Sequence, residues 1–428
     1  MEKVLILTYY WPPSGGPGVQ RWLKFVKYLP EYGYEPVVVT VDPRLATYPV
    51  VDAELSNDVL PGIEVITTQT REPYALYKKI FAKKQVPHSG FVNEENQGPG
   101  SALSRFLRGN FFIPDARKGW NRFAVKAAEK LLEQHQIKTL ITTSPPHSTQ
   151  LAGLVLKKKY PHLKWIADLR DPWTDIFYYK KMLHLSFARK IDKKKEEEVL
   201  YRADTLVTVS SALADLFQSK IGNEGKKKLH VITNGFDHKD FEEIVAERDN
   251  GNNDFTITYT GTLSESYYLG GFIKAIEGFK NIEKLRFRIA GSICPQWSDK
   301  LEDLLGNQLI RLGHVDHSQA IKEMLQASML LLVIPRISNN EGILTGKLFE
   351  YLASHRPVMG IGPSNGEAAK ILEATGNGTM FDYNDDKNMS LYLTRYLSGK
   401  QVHNPDENAV NQFSRRELTG KLAELIGR

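Results

Sequence analysis

Cysteine is almost absent. Cys294 stands alone among 428 residues, which excludes an internal disulfide and a cysteine-based zinc centre and fits a reducing compartment. The 11 histidines are scattered, not spaced as metal ligands. No apolar run approaches the ~18 residues of a membrane-spanning helix. The opening "MEKVLILTYYWPPSGG" has only a short apolar run, and reads as a first strand ending in a loop, not as a signal peptide. No repeat of fixed period stands out. No nucleic-acid-binding motif accompanies the net charge of +6. These absences point to a cytoplasmic globular protein without a cysteine or clustered-histidine metal site, and they disfavour nucleic-acid binding. Its length suits two domains of roughly 100–200 residues each.

The positive charge is uneven. Residues 71–84 mix Lys78, Lys79, Lys83 and Lys84 with Tyr74, Tyr77 and Phe81, and residues 105–112 continue with Arg105, Phe106, Arg108, Phe111 and Phe112. Two readings stay open: helices whose apolar side joins the core, or peripheral contact with an anionic membrane.

Apolar runs at 3–10, 35–41, 139–144, 164–169 and 204–210 read as buried strands, separated by helical patterns at 20–32, 121–135, 182–202 and 211–219. The alternation restarts after "LHVITNGFD", with strands expected at 255–261, 287–292, 310–315, 329–334 and 357–362. Continuous apolar strands alternating with helices predict an α/β fold with parallel, doubly wound sheets. Two Rossmann-like halves follow, 1–233 and 234–410, with a terminal helical segment, 411–428. Polar, glycine-rich residues 85–104 predict a mobile loop. Ser414 and Glu417, flanked by Phe413 and Leu418, carry the marks of a capping box and a hydrophobic staple for a helix over 415–427.

In such sheets ligands bind beyond the carboxyl ends of the strands, and four segments with chemistry stand there. "WPPSGGPGVQR" follows the first strand. Gly15 and Gly16 let backbone amides approach an anion, and Arg21 adds charge. "TTSPPHSTQ" places His147 before a helix with Ser148 and Thr149 as candidate caps, positioned to bond a hydroxyl or to act as acid or base. "DLRDPWTD" crowds Asp168, Arg170, Asp171 and Asp175, either as an ion-pair network or as an acceptor-binding and catalytic edge. "EGILTGKLFEYLASHRPV" opens a helix at Thr345 and Gly346 and sets Lys347 in its first turn. A lysine opposes the helix dipole there, so an anion such as a diphosphate is expected beside it. Glu350, on the same side of the helix, can take both hydroxyls of a ribose.

These residues resemble glycosyltransferase family 4. "YYWPPSGGPGVQR" is similar to its N-terminal glycine loop, "SPPHST" and "DLRDPW" to segments of bacterial members that build surface polysaccharides, "VITNGFD" to the interdomain junction, and "TGKLFEYLASHRPV" to the donor helix. The resemblance implies the GT-B fold. In it two Rossmann-like domains face a cleft and a C-terminal helix crosses back to the first domain. It also implies retaining transfer of a sugar from a nucleoside-diphosphate donor to a saccharide or lipid-linked acceptor, without metal or other cofactor. Lys347 would then meet the diphosphate, Glu350 the ribose, and Gly15 and Gly16 the sugar-phosphate. The loop 312–319, with Val315, would read the base. Gly342 stands at the family's usual glutamate position, so its neighbour Glu341 becomes the candidate for the sugar. Thr262 stands where arginine is usual, and Arg336 is the candidate replacement. A nucleotide-sugar 2-epimerase and a non-catalytic sugar-nucleotide-binding protein remain open alternatives.

Overall fold

The structure is a computed structural model that describes residues 1–72, 99–176, 179–242, 244, 254–279, 282–400 and 403–428. The chain divides into two compact units, Met1–Thr233 with Leu418–Arg428, and Asn234–Glu417.

The first unit holds seven parallel strands: β1 Glu2–Leu7, β2 Tyr34–Val41, β3 Glu64–Thr68, β4 Thr139–Ser144, β5 Lys164–Leu169, β6 Thr205–Thr208 and β7 Leu229–Val231. Their order is β3-β2-β1-β4-β5-β6-β7. Burial on both faces explains why they read as unbroken apolar runs. Leu5, Leu7, Val37 and Val39 feed a core with Trp120 and Trp165. Val4, Ile6 and Val38 point the other way, toward Trp22, Phe25, Leu418 and Leu422.

The second unit repeats the plan with β8 Phe255–Thr260, β9 Leu285–Ala290, β10 Leu309–Gly313, β11 Met329–Val333, β12 Val358–Ile361 and β13 Gly378–Phe381. The order is β10-β9-β8-β11-β12-β13. Ile257, Tyr259 and Leu331 serve one core, while Leu330 and Leu332 serve another with Phe349 and Tyr351.

The last helix, Arg415–Gly427, sends Leu418, Leu422, Leu425 and Ile426 into the core of the first unit, where Lys164 Nζ donates to the Ile426 carbonyl at 3.0 Å. Half of the expected capping box forms: Glu417 N donates to Ser414 Oγ at 3.3 Å, but Ser414 N is taken by the Asn411 carbonyl at 2.8 Å. The staple does not close. Phe413 lies 5.5 Å from the ring of Phe349 in the second unit's core, whereas Leu418 packs in the first's.

Two strands escaped the sequence pattern. β3, "EVITT", lies at a sheet edge and is only half buried, and β13, "GTMF", is four residues long. The loop expected over 85–104 is corrected at its end, because Pro99–Phe111 is a helix. Most of that loop, and residues 73–84 of the basic aromatic segment, lie outside the described residues. In 105–112, Arg105 to Arg108 are only partly exposed, while Phe111 stands well out.

Candidate active site

In the second unit the strand order reverses between β8 and β11, so their carboxyl ends frame a crevice. The helix Gly346–Ala353 begins here, and its first amides lack intrahelical acceptors. Lys347 is partly buried. Its ammonium donates to Tyr259 Oη at 2.8 Å and lies 4.8 Å from that ring and 5.7 Å from the ring of Tyr267. Burial lowers its pKa to about 8, against a small opposing pull from Glu350. Tyr259 is fully buried, and burial pushes its phenol far up, so it stays neutral and donates its own hydrogen bond to the Thr262 carbonyl at 3.0 Å. Gly261 makes room for the lysine. Its φ is +100, and an added Cβ would lie 3.0 Å from Lys347 Nζ. Thr345 is the helix N-cap, yet its buried Oγ1 has no partner.

Around this centre, Glu350 Oε1 lies 3.2 Å from His317 Nε2. His317 opens the helix His317–Gln326, and Val315, half buried, precedes its cap Asp316. Arg336 follows β11 and stacks between Tyr268 (4.8 Å) and Tyr383 (5.5 Å). Asn340 donates to the Pro335 carbonyl at 2.8 Å and to Tyr383 Oη at 2.7 Å, which fixes the loop that carries exposed Glu341. The structure thus groups Lys347 with Tyr259 and Tyr267, Glu350 with His317, and Arg336 with Tyr268 and Tyr383.

In the first unit the reversal falls between β1 and β4. Arg21 was expected to face an anion. It is instead fully buried, with its guanidinium donating to Asp168 Oδ1 at 3.1 Å and to the carbonyls of Ile232 (2.9 Å) and Thr233 (2.7 Å). Asp168 also accepts from Trp22 Nε1 at 2.7 Å and Thr143 Oγ1 at 2.8 Å, so this part of the "DLRDPWTD" cluster is structural. Arg170 takes the position nearer the glycine loop. It donates to the Ser144 carbonyl at 2.8 Å, and a Cβ on Gly18 would come within 2.5 Å of its Nη1. Gly15 gives its N–H to the Val50 carbonyl at 3.0 Å, whereas Gly16, at φ +103, has open space where a Cβ would stand.

His147 stacks on Trp173, with centroids 5.1 Å apart and planes 14° from parallel. Burial, helped by Arg170 and Lys220, lowers its pKa to about 3, so the ring is neutral, and its Nδ1 has no partner. Ser148 and Thr149 do not cap the following helix. Asp115 does, accepting from Ser148 N and Oγ at 2.8 Å each, so that helix end already holds its anion. Asp171 is half buried, and desolvation raises its pKa against the pull of Arg170. Beneath the loop, Asp192 accepts from Trp173 Nε1 at 2.8 Å and Tyr179 Oη at 3.0 Å, and Glu196 pairs with Lys220 at 2.7 Å. A cavity of about 630 Å³ opens elsewhere in this unit, lined by Thr47, Thr70, Glu72, Phe111, Phe112 and Lys118 among others.

Residues 18–240, just over half of the chain, match the description of Glycosyltransferase Family 4. The chain belongs to this family. A Bacillus subtilis (strain 168) protein carrying the name of a teichuronic acid biosynthesis glycosyltransferase, TuaH, is 24% identical over 219 residues, which are 48% of this chain and 52% of that protein. The chain therefore spans about half the length of the curated relative it matches. Among solved structures, sucrose-phosphate synthase from Thermosynechococcus elongatus superposes with a TM-score of 0.62 at 12% identity, over 100% of this chain and 98% of that one. The lipopolysaccharide outer core galactosyltransferase WaaB gives 0.61 at 12% identity, and Anabaena HepE in complex with UDP gives 0.60 at 13%, each over 100% of both chains. These likenesses establish the fold, GT-B.

In this family 4 chain, sequence reasoning singled out Lys347 and Glu350 but not the residues that surround them. Tyr259, Gly261, Tyr267, Tyr268 and His317 were not singled out. The paired tyrosines in "SESYYLGG" were the available signal, since aromatic faces attract the cations that the segment itself lacks.

Proposed function

We propose that the chain is a retaining glycosyltransferase. It moves a sugar from a nucleoside-diphosphate sugar to a saccharide on a lipid carrier, at the cytoplasmic face of a membrane, in surface polysaccharide assembly. One observation carries the reading. The Lys347 ammonium sits partly buried at a helix N-terminus, and its described hydrogen bond goes to a neutral phenol, so its natural counter-charge is an anionic ligand. The names of TuaH and WaaB favour a surface polymer as product, and HepE, solved with UDP and with UDP-glucose, favours a uridine donor.

Lys347, the helix amides and the unpaired Thr345 hydroxyl hold the diphosphate, with Arg336 as a further cation. Charge grows on the leaving diphosphate as the bond from the anomeric carbon breaks, and preorganised donors stabilise it most at that moment. These groups supply the electrophilic assistance, so the reading needs no metal or other cofactor. Glu350 takes the ribose hydroxyls, Val315 lies in the base-reading loop, and Glu341 meets the sugar. The acceptor oxygen bonds to the anomeric carbon on the face the diphosphate leaves, and its proton passes to a leaving phosphate oxygen. In the first unit, Gly16 offers the open backbone for a sugar-phosphate. Neutral His147 bonds a sugar hydroxyl without acting as a cationic acid, and Asp171 accepts from the acceptor. The apolar side of the 630 Å³ cavity suits the acceptor's lipid-proximal part. No helix among the described residues is long and apolar enough to cross a membrane.

The test is a thermal-shift panel of nucleotide sugars, in which the true donor raises the melting temperature by mass action. Transfer is then assayed with wild type and Lys347→Ala. Unchanged donor affinity and turnover in the variant overturn the anion assignment. A new epimer formed from donor alone would instead assign 2-epimerase chemistry.

A further inference from the structure

The helix Ser186–Arg202 turns the usual order inside out. Asp192 and Glu196 are 2% and 0% exposed, because they anchor Trp173, Tyr179 and Lys220. The opposite face presents Phe187, Lys190, Ile191 and Lys194 at i, i+3, i+4 and i+7, all exposed. The loop before it continues the pattern. Leu183, Leu185, Phe187 and Ile191 are between 44% and 58% exposed.

This loop is held in place with its leucines outward. Asn110, buried at the end of the helix Pro99–Phe111, donates to the Leu183 carbonyl at 3.1 Å and accepts from Leu185 N at 2.7 Å. A Cβ on the adjacent Gly109 would come within 2.3 Å of the Met182 carbonyl, so the two segments are in close contact. Leu183 keeps a φ of +50, which is unfavourable for a leucine, while its side chain stays about half exposed.

Charge surrounds the apolar residues. Lys180, Lys181, Arg189, Lys190, Lys193 and Lys194 are exposed, and the acid within 179–194, Asp192, is buried. The helix Pro99–Phe111 adds Arg105 and Arg108 and has no acidic residue. A second copy of the same surface would bring like charge against like. Nucleic acid would leave the aliphatic side chains without a partner. An anionic bilayer satisfies both features, since lysines meet headgroups while aliphatic and aromatic side chains enter the interface.

We propose that residues 179–194, with the end of the helix Pro99–Phe111, form a docking surface for an anionic lipid bilayer. Its main segment, 179–194, was not among the basic stretches that the sequence singled out, whereas the end of the helix Pro99–Phe111 falls in one of them, 105–112. It brings the acceptor-binding unit to the bilayer. It does not depend on the sugar-transfer reading, because docking is measured without donor.

The experiment is co-sedimentation of the full chain with phosphatidylcholine vesicles, with and without phosphatidylglycerol. The wild type is expected to bind only the anionic vesicles, and to be released at about 1 M salt, where the screening length is about 3 Å. Lys190→Ser with Lys194→Ser should weaken binding by roughly 25-fold, since each basic residue near an anionic surface contributes about fivefold. Phe187→Ser with Ile191→Ser should weaken it by about tenfold or more. All four side chains are exposed, so melting temperatures should match the wild type and certify the fold. The proposal is overturned if the wild type stays in the supernatant, if it binds neutral vesicles equally, or if both variants bind as well as it does. Self-association that the variants abolish, without vesicle binding, would assign the surface to a second copy and overturn it too.

Discussion

Lys347 allows a prediction with a sign and a size. Its pKa falls from 10.5 to about 8 because burial penalises the ammonium. That fall corresponds to about 3 kcal/mol, or about 2 kcal/mol after allowance for its partial exposure. Between pH 8 and 10.5 the unfolded chain binds more protons at this residue than the folded one, so its contribution to stability rises with pH across that window. Below pH 8 the full penalty is present. A diphosphate removes the penalty by supplying a counter-charge, so binding should draw in a proton near pH 8. At pH 9 about a tenth of the ammonium remains charged, and UDP affinity should be close to tenfold weaker than at pH 7. The ligand's own phosphates are already ionised over this range. Calorimetric titration at both pH values, in buffers of different ionisation enthalpy, measures the affinity and the proton uptake together. Lys347→Met should flatten the pH dependence. It should also raise the ligand-free melting temperature by about 3 °C, since the buried charge is gone and only one hydrogen bond is lost. Equal affinity at pH 7 and 9, together with a Lys347→Met variant that melts below wild type, would refute the reasoning.

Other outcomes follow from the same geometry. Gly261→Ala should lower stability by about 1–2 kcal/mol, because φ is +100 there, and should weaken UDP binding by pushing against the Lys347 ammonium; urea melts and titration check both. Arg21→Met should destabilise the first unit by about 3–5 kcal/mol, since it strands the buried Asp168, and it should do so without selective loss of UDP affinity. His147, lowered to about 3 in the folded chain, makes stability fall as pH drops from 6.5 toward 3; His147→Gln should remove that component in acid melts, while the pH profile of activity between 6 and 9 shows no limb from this ring.

Much of the architecture was legible because buried parallel strands are nearly pure apolar runs. β4 and β5 fall on the residues expected, and the helix Asn121–His135 does as well. Edge strand β3 was not legible, since "EVITT" is half solvated and its threonines and glutamate dilute the signal. At the candidate site, Lys347 stood out because it contradicts a local electrostatic rule, which makes it a candidate for ligand contact. Arg21 misled for a related reason. A basic residue near the start of a helix after a glycine loop has the same local look whether it meets a ligand or a buried aspartate 147 positions away, and only the tertiary contact with Asp168 separates the two. The proposed docking surface was hidden by averaging. The helix Ser186–Arg202 has acids and apolar residues on both faces, so composition alone shows no preferred side.

The closing helix has a consequence for synthesis. Val4, Ile6 and Trp22 leave the ribosome long before Leu422 and Ile426, which share their core. The sheet therefore keeps one sticky flank until the helix Arg415–Gly427 has been made. A chain cut short before Leu418 leaves that flank bare for chaperones and proteases, so the maturation of the first unit waits on a helix encoded about four hundred residues downstream.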